Sequence, residues 1–266
     1  MNLPVARKRF GQHFLHDANI VQRMIDAFAP QLIDHVVEIG PGHGVLTRAL
    51  ASRVARLHAI EIDRDLVAQL AAELGGHTNV LIHQADALQF NLCQLAGEGH
   101  KLRLIGNLPY NISTPLLFRL LAQSQCIQDM CFMLQKEVVE RLTAAPNSKA
   151  YGRLSVMIQW RCRTQPLFTV SPAAFSPRPK VDSMIVYLEP YATPPIAVAD
   201  EPTFARVVAA AFAARRKTLR NALAGMLDTD ALRAAGIDPM RRGETLTIAD
   251  FAALANALAR KEVRGD

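Results

Sequence analysis

The order of apolar runs and helical stretches predicts an α/β fold: a mainly parallel sheet wound with helices, followed by a small all-helical domain. Three observations predict it. Between residues 35 and 144, short strand-like runs alternate with amphipathic segments, the signature of strand–helix–strand units. The first of those runs ends in a glycine-rich turn, "GPGHG" (40–44). After the proline-rich stretch "ATPPIAVADEP" (192–202), the chain is rich in Ala and Leu and offers no good strand.

Taken in order, residues 17–28 set Ile20, Val21, Met24, Ile25 and Phe28 at helical spacing, with Asp17 available as a cap. Strands follow at "HVVEIG" (35–40), "LHAIEI" (57–62), "NVLIHQ" (79–84), "KLRLIGN" (101–107) and "MCFMLQ" (130–135). Helices fall between and after them at 45–54, 64–74, 113–124 and 136–144. In "STPLLF" (113–118), Ser113 or Thr114 is read as the cap and Pro115 as the first helical residue. The alternation then breaks. "SVMIQWRC" (155–162) suits helix or strand, and "VDSMIVYLEP" (181–190) reads as a strand. An antiparallel hairpin on the sheet edge is therefore expected. The predicted division is a domain over 1–192, a linker over 193–202 and four or five short helices over 203–266.

Half of the 266 residues are hydrophobic, enough for a large core. No apolar run reaches the roughly 18 residues that a membrane-spanning helix needs, and no membrane partner is expected. The opening "MNLPVARKRFGQHFL" (1–15) lacks the apolar centre of a signal peptide. Cys93, Cys126, Cys131 and Cys162 form no CxxC pair and have no histidine cluster nearby. A metal site is not expected, and scattered thiols suit a reducing cytosol. The net charge of +6 is unevenly spread. Residues 1–16, 149–180 and 205–227 contain no acid and hold 14 of the 30 basic residues. They include Arg7, Lys8, Arg9, Lys149, Arg153, Arg161, Arg163, Arg178, Lys180, Arg206, Arg215, Arg216, Lys217 and Arg220. A basic surface on an otherwise acidic body points to a polyanion partner.

Three successive strand ends carry ligand-binding chemistry. Gly40, Gly42 and Gly44 are spaced GxGxG, with Glu38 ahead of them and Pro41 stiffening the turn. Glycines let a backbone approach a ligand closely. Glu61 ends the second strand, where a carboxylate can take both hydroxyls of a ribose. Asp86 follows the third strand and can accept from an exocyclic amine such as that of adenine. An acid, glycine backbone and no clear pyrophosphate seat favour a nucleoside with a positive, phosphate-free tail: S-adenosyl-L-methionine. The predicted sheet is thus Rossmann-like, of the S-adenosylmethionine-dependent methyltransferase type.

"GNLPYNIST" (106–114) ends the fourth strand at the same crevice. The amine of an aromatic base is a poor nucleophile, because its lone pair is delocalised into the ring. Bonds to the Asn107 side-chain carbonyl and the Leu108 backbone carbonyl can draw it toward tetrahedral geometry. Pro109 fixes the turn and Tyr110 offers a flat face for the base to stack on. On this reading the ring face does the work and the Tyr110 hydroxyl is dispensable.

Together with "RKRFGQHFL" (7–15), "VVEIGPGHG" (36–44), "LQKEVVERL" (134–142) and "FSPRPKVDS" (175–183), this stretch resembles the ribosomal RNA adenine N6-dimethyltransferases. The resemblance runs from about residue 7 to 190 and continues more weakly through "RRKTLRNAL" (215–223). It implies dimethylation of two adjacent adenines in a hairpin near the 3′ end of small-subunit (16S) ribosomal RNA. The implied substrate is an immature small subunit, met in the cytoplasm by a monomeric enzyme. Carried over by position, it implies cofactor contacts at His13, Leu15, Gly40, Glu61, Asp86 and Asn107, with Tyr110 and Phe175 sandwiching the target adenine. The family usually carries Asn where this chain has His13, whose ring can accept through one nitrogen and donate through the other. The basic stretches then become RNA contacts. The residues alone leave other readings open: a methyltransferase of DNA adenine or another amine, a non-catalytic RNA-binding assembly factor, or a nicotinamide-dependent oxidoreductase. The GxGxG spacing, Pro41 and "NLPY" argue against the last, and intact Asn107, Pro109 and Tyr110 argue against the second.

Overall fold

The structure, a computed structural model, describes residues 12–97, 99–214 and 216–264. Asp17 caps α1 (Ala18–Phe28) as its position suggests, accepting from the backbone N–H groups of Asn19 and Ile20. Met24, Ile25 and Phe28 then turn inward and are buried. Ahead of α1 a short strand, β1 (Phe14–Leu15), pairs antiparallel with β8 (Phe175–Ser176). Neither was legible in the sequence, since two residues carry no period.

The main sheet has seven strands. Four of them are β2 (His35–Ile39), β3 (Arg56–Glu61), β4 (Val80–Gln84) and β5 (Leu102–Asn107). Next come β6 (Ile127–Gln135), β7 (Cys162–Val170) and β9 (Ser183–Pro190), in the spatial order β4-β3-β2-β5-β6-β9-β7. β2 through β6 pair in parallel, and β9 runs antiparallel to β6. The chain builds outward from β2 to β4, then returns to lay β5 on the other side of β2. The strand order therefore reverses between β2 and β5, where α/β sheets open a crevice at their carboxyl ends. α2 (Val45–Leu50), α3 (Arg64–Leu74), α4 (Ser113–Leu121) and α5 (Lys136–Leu142) occupy the connections.

One local reading is corrected and an open one is decided. α4 starts at Ser113 without a side-chain cap, and the Ser113 hydroxyl instead donates to the carbonyl of Tyr110. Pro115 is the third helical residue, still within the first turn, where a missing N–H costs nothing. The undecided 155–162 stretch is mostly helix: α6 spans Arg153–Arg161, and Cys162 begins β7. The reading of four scattered thiols also changes. Cys93 and Cys126 form a disulfide across 33 residues, while Cys131 and Cys162 are free and buried. The pairing brings together two 3-10 turns, Leu92–Leu95 and Ser124–Cys126, held by the Gln123 side chain accepting from the N–H of Leu92.

The chain divides into two compact units. One runs to Val139 and includes Arg163–Pro190; the other joins Glu140–Cys162 to the chain from Tyr191 onward. Residues 140–162 thus group with the C-terminal helices, not with the sheet as the linear division suggested. Hydrogen bonds explain the grouping: Tyr151 Oη donates to the carbonyl of Leu246, Trp160 Nε1 to that of Ile196, and the Asn147 N–H to that of Glu244. The second unit also holds α7 (Glu201–Phe212), α8 (Leu219–Ala222), α9 (Thr229–Ala234) and α10 (Ile248–Arg264). Among the described residues no helix is long and apolar enough to cross a membrane.

In the first unit, the amino ends of the strands are tied by a buried ion cluster. Arg103 on β5 reaches Asp129 on β6 and Asp34 just before β2, at 3.0 and 2.6 Å. It also donates to the carbonyls of Phe28 and Ala29, and Tyr187 Oη donates to Asp129. The opposite end of the sheet is left to the site.

Candidate active site

The cleft lies at the carboxyl ends of β2, β3 and β5, and its walls include Gly40, Gly42, Glu38, Glu61, Asn107 and Tyr110, with His13, Phe14 and Leu15 across them. Gly106 lets β5 close on β2 here: a Cβ on it would lie 2.4 Å from the carbonyl oxygen of Ile39. Gly42 has a φ of +56°, and its missing side chain makes room for the Phe14 ring, 2.9 Å from where a Cβ would stand. Phe14 in turn packs on His43, ring centres 4.1 Å apart. The "QHFL" segment (12–15) is therefore a strap laid over the glycine turn.

Two carboxylates face this turn from below. Glu61 is 5% exposed. Its Oε1 accepts from the N–H groups of Ile62 and Asp63 at 2.9 Å, and its Oε2 from Gly42 at 3.2 Å. Burial pushes its pKa up, against those backbone bonds. An ionised carboxylate has about four lone-pair positions, so one position remains before the Gly42 bond must yield to a ribose. Glu38 is 1% exposed, and its Oε2 has no hydrogen-bond partner among the described residues, although the Thr47 side chain stands near it. Burial above all, with repulsion from Glu61 added, pushes its pKa up to about 7. The sequence reading used Glu38 only as the first letter of a pattern. In the structure it is an orphaned acceptor beside the glycine cradle. An unpartnered carboxyl oxygen and a glycine-lined turn fit the positive amino-acid end of S-adenosyl-L-methionine, whose sulfonium supplies the methyl group when bound.

Asn107 ends β5, with its Nδ2 donating to the backbone carbonyl of His13 at 2.8 Å. A backbone carbonyl only accepts, so this bond fixes which end of the amide points where: the amide nitrogen holds the strap and the side-chain oxygen is the free end. The N–H of Leu108 donates to the carbonyl of Met133 on β6. A Cβ on Gly40 would lie 3.7 Å from both the Asn107 carbonyl oxygen and Pro109 Cδ, so the glycine turn and the "NLPY" turn are neighbours. Tyr110 is half-buried, its hydroxyl 2.5 Å from Ser183 Oγ and its ring centre 5.4 Å from that of His13. His13 Nδ1 donates to the carbonyl of Pro177 at 2.8 Å, which leaves Nε2 as the acceptor of a neutral ring. The strap is thus pinned to both turns that flank the cleft.

Some of the expected site residues stand elsewhere. Phe175 is 1% exposed and packs in the core with Leu15, Met24 and Phe28. It pairs with Leu15 across β1 and β8 and is not among the residues that line the cleft. Asp86 is not in the cleft wall. It closes its own turn, accepting from the N–H of Leu88 and the side chain of Gln89, although the Ala85 N–H bond to the Glu61 carbonyl keeps it next to Glu61. Lys149, Arg153, Arg178, Lys180, Arg216, Lys217 and Arg220 are exposed, as nucleic-acid contacts must be. Arg163 and Arg206 are engaged with Glu189 and Glu262. Arg7, Lys8, Arg9 and Arg215 lie outside the described residues. Phe14, Glu38, His43 and Ser183 were missed as site residues, although each sat in a stretch the sequence had singled out: Phe14 in "RKRFGQHFL", Glu38 and His43 in "VVEIGPGHG", and Ser183 in "FSPRPKVDS".

The pattern that defines the ribosomal RNA adenine dimethylases matches residues 5–260. The chain belongs to that family. It is 53% identical to a ribosomal RNA small subunit methyltransferase A of Nitrosococcus oceani, over 94% of each chain. The corresponding protein of Pseudomonas aeruginosa is 51% identical over 96% of this chain and 95% of that one. The fold matches a dimethyladenosine transferase from Plasmodium falciparum with a TM-score of 0.79 at 24% identity, covering 95% of this chain and 98% of that one. The 23S ribosomal RNA methyltransferase ErmE matches with a TM-score of 0.71 at 25% identity, over 92% and 99%. The enzyme is an S-adenosyl-L-methionine-dependent adenine dimethyltransferase of ribosomal RNA.

Proposed function

We propose that the enzyme dimethylates N6 of two adjacent adenines in a hairpin near the 3′ end of small-subunit ribosomal RNA, acting as a cytoplasmic monomer on an immature subunit. The small-subunit methyltransferase relatives, aligned over nearly their whole length, support the choice of RNA. The observation that carries the chemistry is the orientation of Asn107, whose amide nitrogen is committed to His13.

That commitment turns the side-chain oxygen into a preorganised acceptor. With the Leu108 carbonyl it can hold the two hydrogens of an adenine amine and aim the nitrogen lone pair at the transferable methyl. Tyr110 offers its ring face to the base, which stacking keeps out of its RNA helix. As the new bond forms the nitrogen becomes positive, and both carbonyl dipoles hold it more tightly than they held the neutral amine. The methylated amine is acidic, so its proton leaves to water and no strong base is required. Glu38, Glu61 and the N–H groups of the glycine turn hold the cofactor, and Asp86 is proposed for its adenine, once its turn bonds are exchanged.

Asn107→Ala is the test. Removing one preorganised partner of a developing charge costs roughly a hundredfold to a thousandfold in rate. Single-turnover methylation of unmethylated small subunits at saturating cofactor should show that loss, with RNA affinity nearly unchanged. A near wild-type rate would make "NLPY" a structural turn and sink the mechanism.

A further inference from the structure

We propose that Ser183 is a positioning residue for methyl transfer, acting through the hydroxyl of Tyr110. The inference rests on the reading of Tyr110 as the surface on which the target base stacks. Tyr110 sits in an irregular turn between β5 and α4, where no strand or helix ladder holds its side chain. Its backbone is held on one side, where Ser113 donates to its carbonyl. Its ring stands 5.4 Å from that of His13, and its hydrogen bond to the sheet runs through the hydroxyl, 2.5 Å from Ser183 Oγ.

Ser183 is a rigid anchor. It is fully buried, opens β9, and faces Gln135 at the end of β6. The residue before it is fixed as well, because the carbonyl of Asp182 accepts from the N–H of Lys136. Tyr110 Oη therefore ends on a point of the sheet rather than on another loop. A stacking surface is useful only if it stays still: a ring that swings by one rotamer carries the base, and with it the amine, out of line with the methyl. A hydrogen bond at the far end of the ring removes that freedom. The base is still free to use the whole face.

This revises the expectation that the hydroxyl is dispensable. A lost hydrogen bond of ordinary strength corresponds to roughly a threefold to tenfold change. The experiment is single-turnover methylation of unmethylated small subunits by Ser183→Ala, Tyr110→Phe and the double variant, alongside cofactor affinity by calorimetry. The expected result is a rate loss of that size in Ser183→Ala, the same loss in Tyr110→Phe, and no further loss in the double variant, with cofactor affinity unchanged. Tyr110→Phe breaks the same bond from the other side, so the test stands even if Ser183→Ala folds poorly. A Tyr110→Phe rate within about twofold of wild type, or losses that multiply in the double variant, would overturn the role of Ser183. Tyr110→Ala separates the two readings. If it is slow while Ser183→Ala is normal, only Ser183 loses its role; if it is near wild type, stacking on Tyr110 is wrong and Ser183 falls with it.

Discussion

Glu38 holds its proton to a pH at which an exposed carboxyl lost it long before, because water cannot reach its ionised form. Its folded pKa lies above its ordinary value, so its contribution to stability is full below the ordinary carboxylate range. That contribution is lost as pH rises through about 7. The cofactor's ammonium group changes the balance, since an adjacent positive charge favours the carboxylate. Binding of S-adenosyl-L-methionine near pH 6 is therefore expected to release a proton, read by calorimetry in buffers of different ionisation enthalpy. Glu38→Gln should bind without that release, and should lose less stability than wild type between pH 5 and 8. Buffer-independent heats in the wild type would take Glu38 out of the ammonium's reach. The acid of the "EIGPGHG" pattern was visible in the sequence, but its burial and its orphaned oxygen were not. Both depend on strands β2 and β3 closing over it.

At the scale of elements, β2 through β6 were legible because each is a short apolar run between helical stretches, and parallel strands buried on both faces write that pattern. β1, β8 and most of β7 were not. β1 and β8 are two residues each, and β7 reads "CRTQPLFTV" with polar residues and a proline. The fold's cross-ties were equally hidden. Arg103, Asp129 and Asp34 look like three unrelated charges until register brings them together at the amino ends of the strands. Removing the cation leaves two buried carboxylates unpaired, which costs about 3–5 kcal/mol. Arg103→Met should show that loss in urea unfolding, and Arg103→Met with Asp129→Asn should cost less than the two changes added together. Additive losses would mean the three side chains do not act as a unit.

Over the whole molecule, charge segregation was the signal that carried partner class, and it needs no structure because counterion release depends on how many cations meet phosphate. Arg215, Arg216, Lys217 and Arg220 fall at the acid-free start of the helical segment. Replacing all four with Ala should weaken binding to small subunits and lower the slope of log affinity against log salt by up to about 3. Single-turnover rate at saturating subunit should hold. An unchanged slope would leave the four as ordinary solvated surface charges. The grouping of residues 140–162 with the C-terminal helices, by contrast, rests on bonds such as Tyr151 to Leu246, which join positions too far apart for any local pattern to reveal. The central claim is that the chain places two methyl groups on each of two adjacent small-subunit adenines. Its most direct test is to incubate the enzyme and S-adenosyl-L-methionine with unmethylated small subunits, and in parallel with free ribosomal RNA and DNA, then read the modified nucleosides by mass spectrometry. The account predicts N6,N6-dimethyladenosine at two neighbouring positions near the 3′ end, formed on the subunit in preference to either free nucleic acid. Methylation confined to DNA, or at scattered positions, or no transfer to the subunit at all, would contradict it.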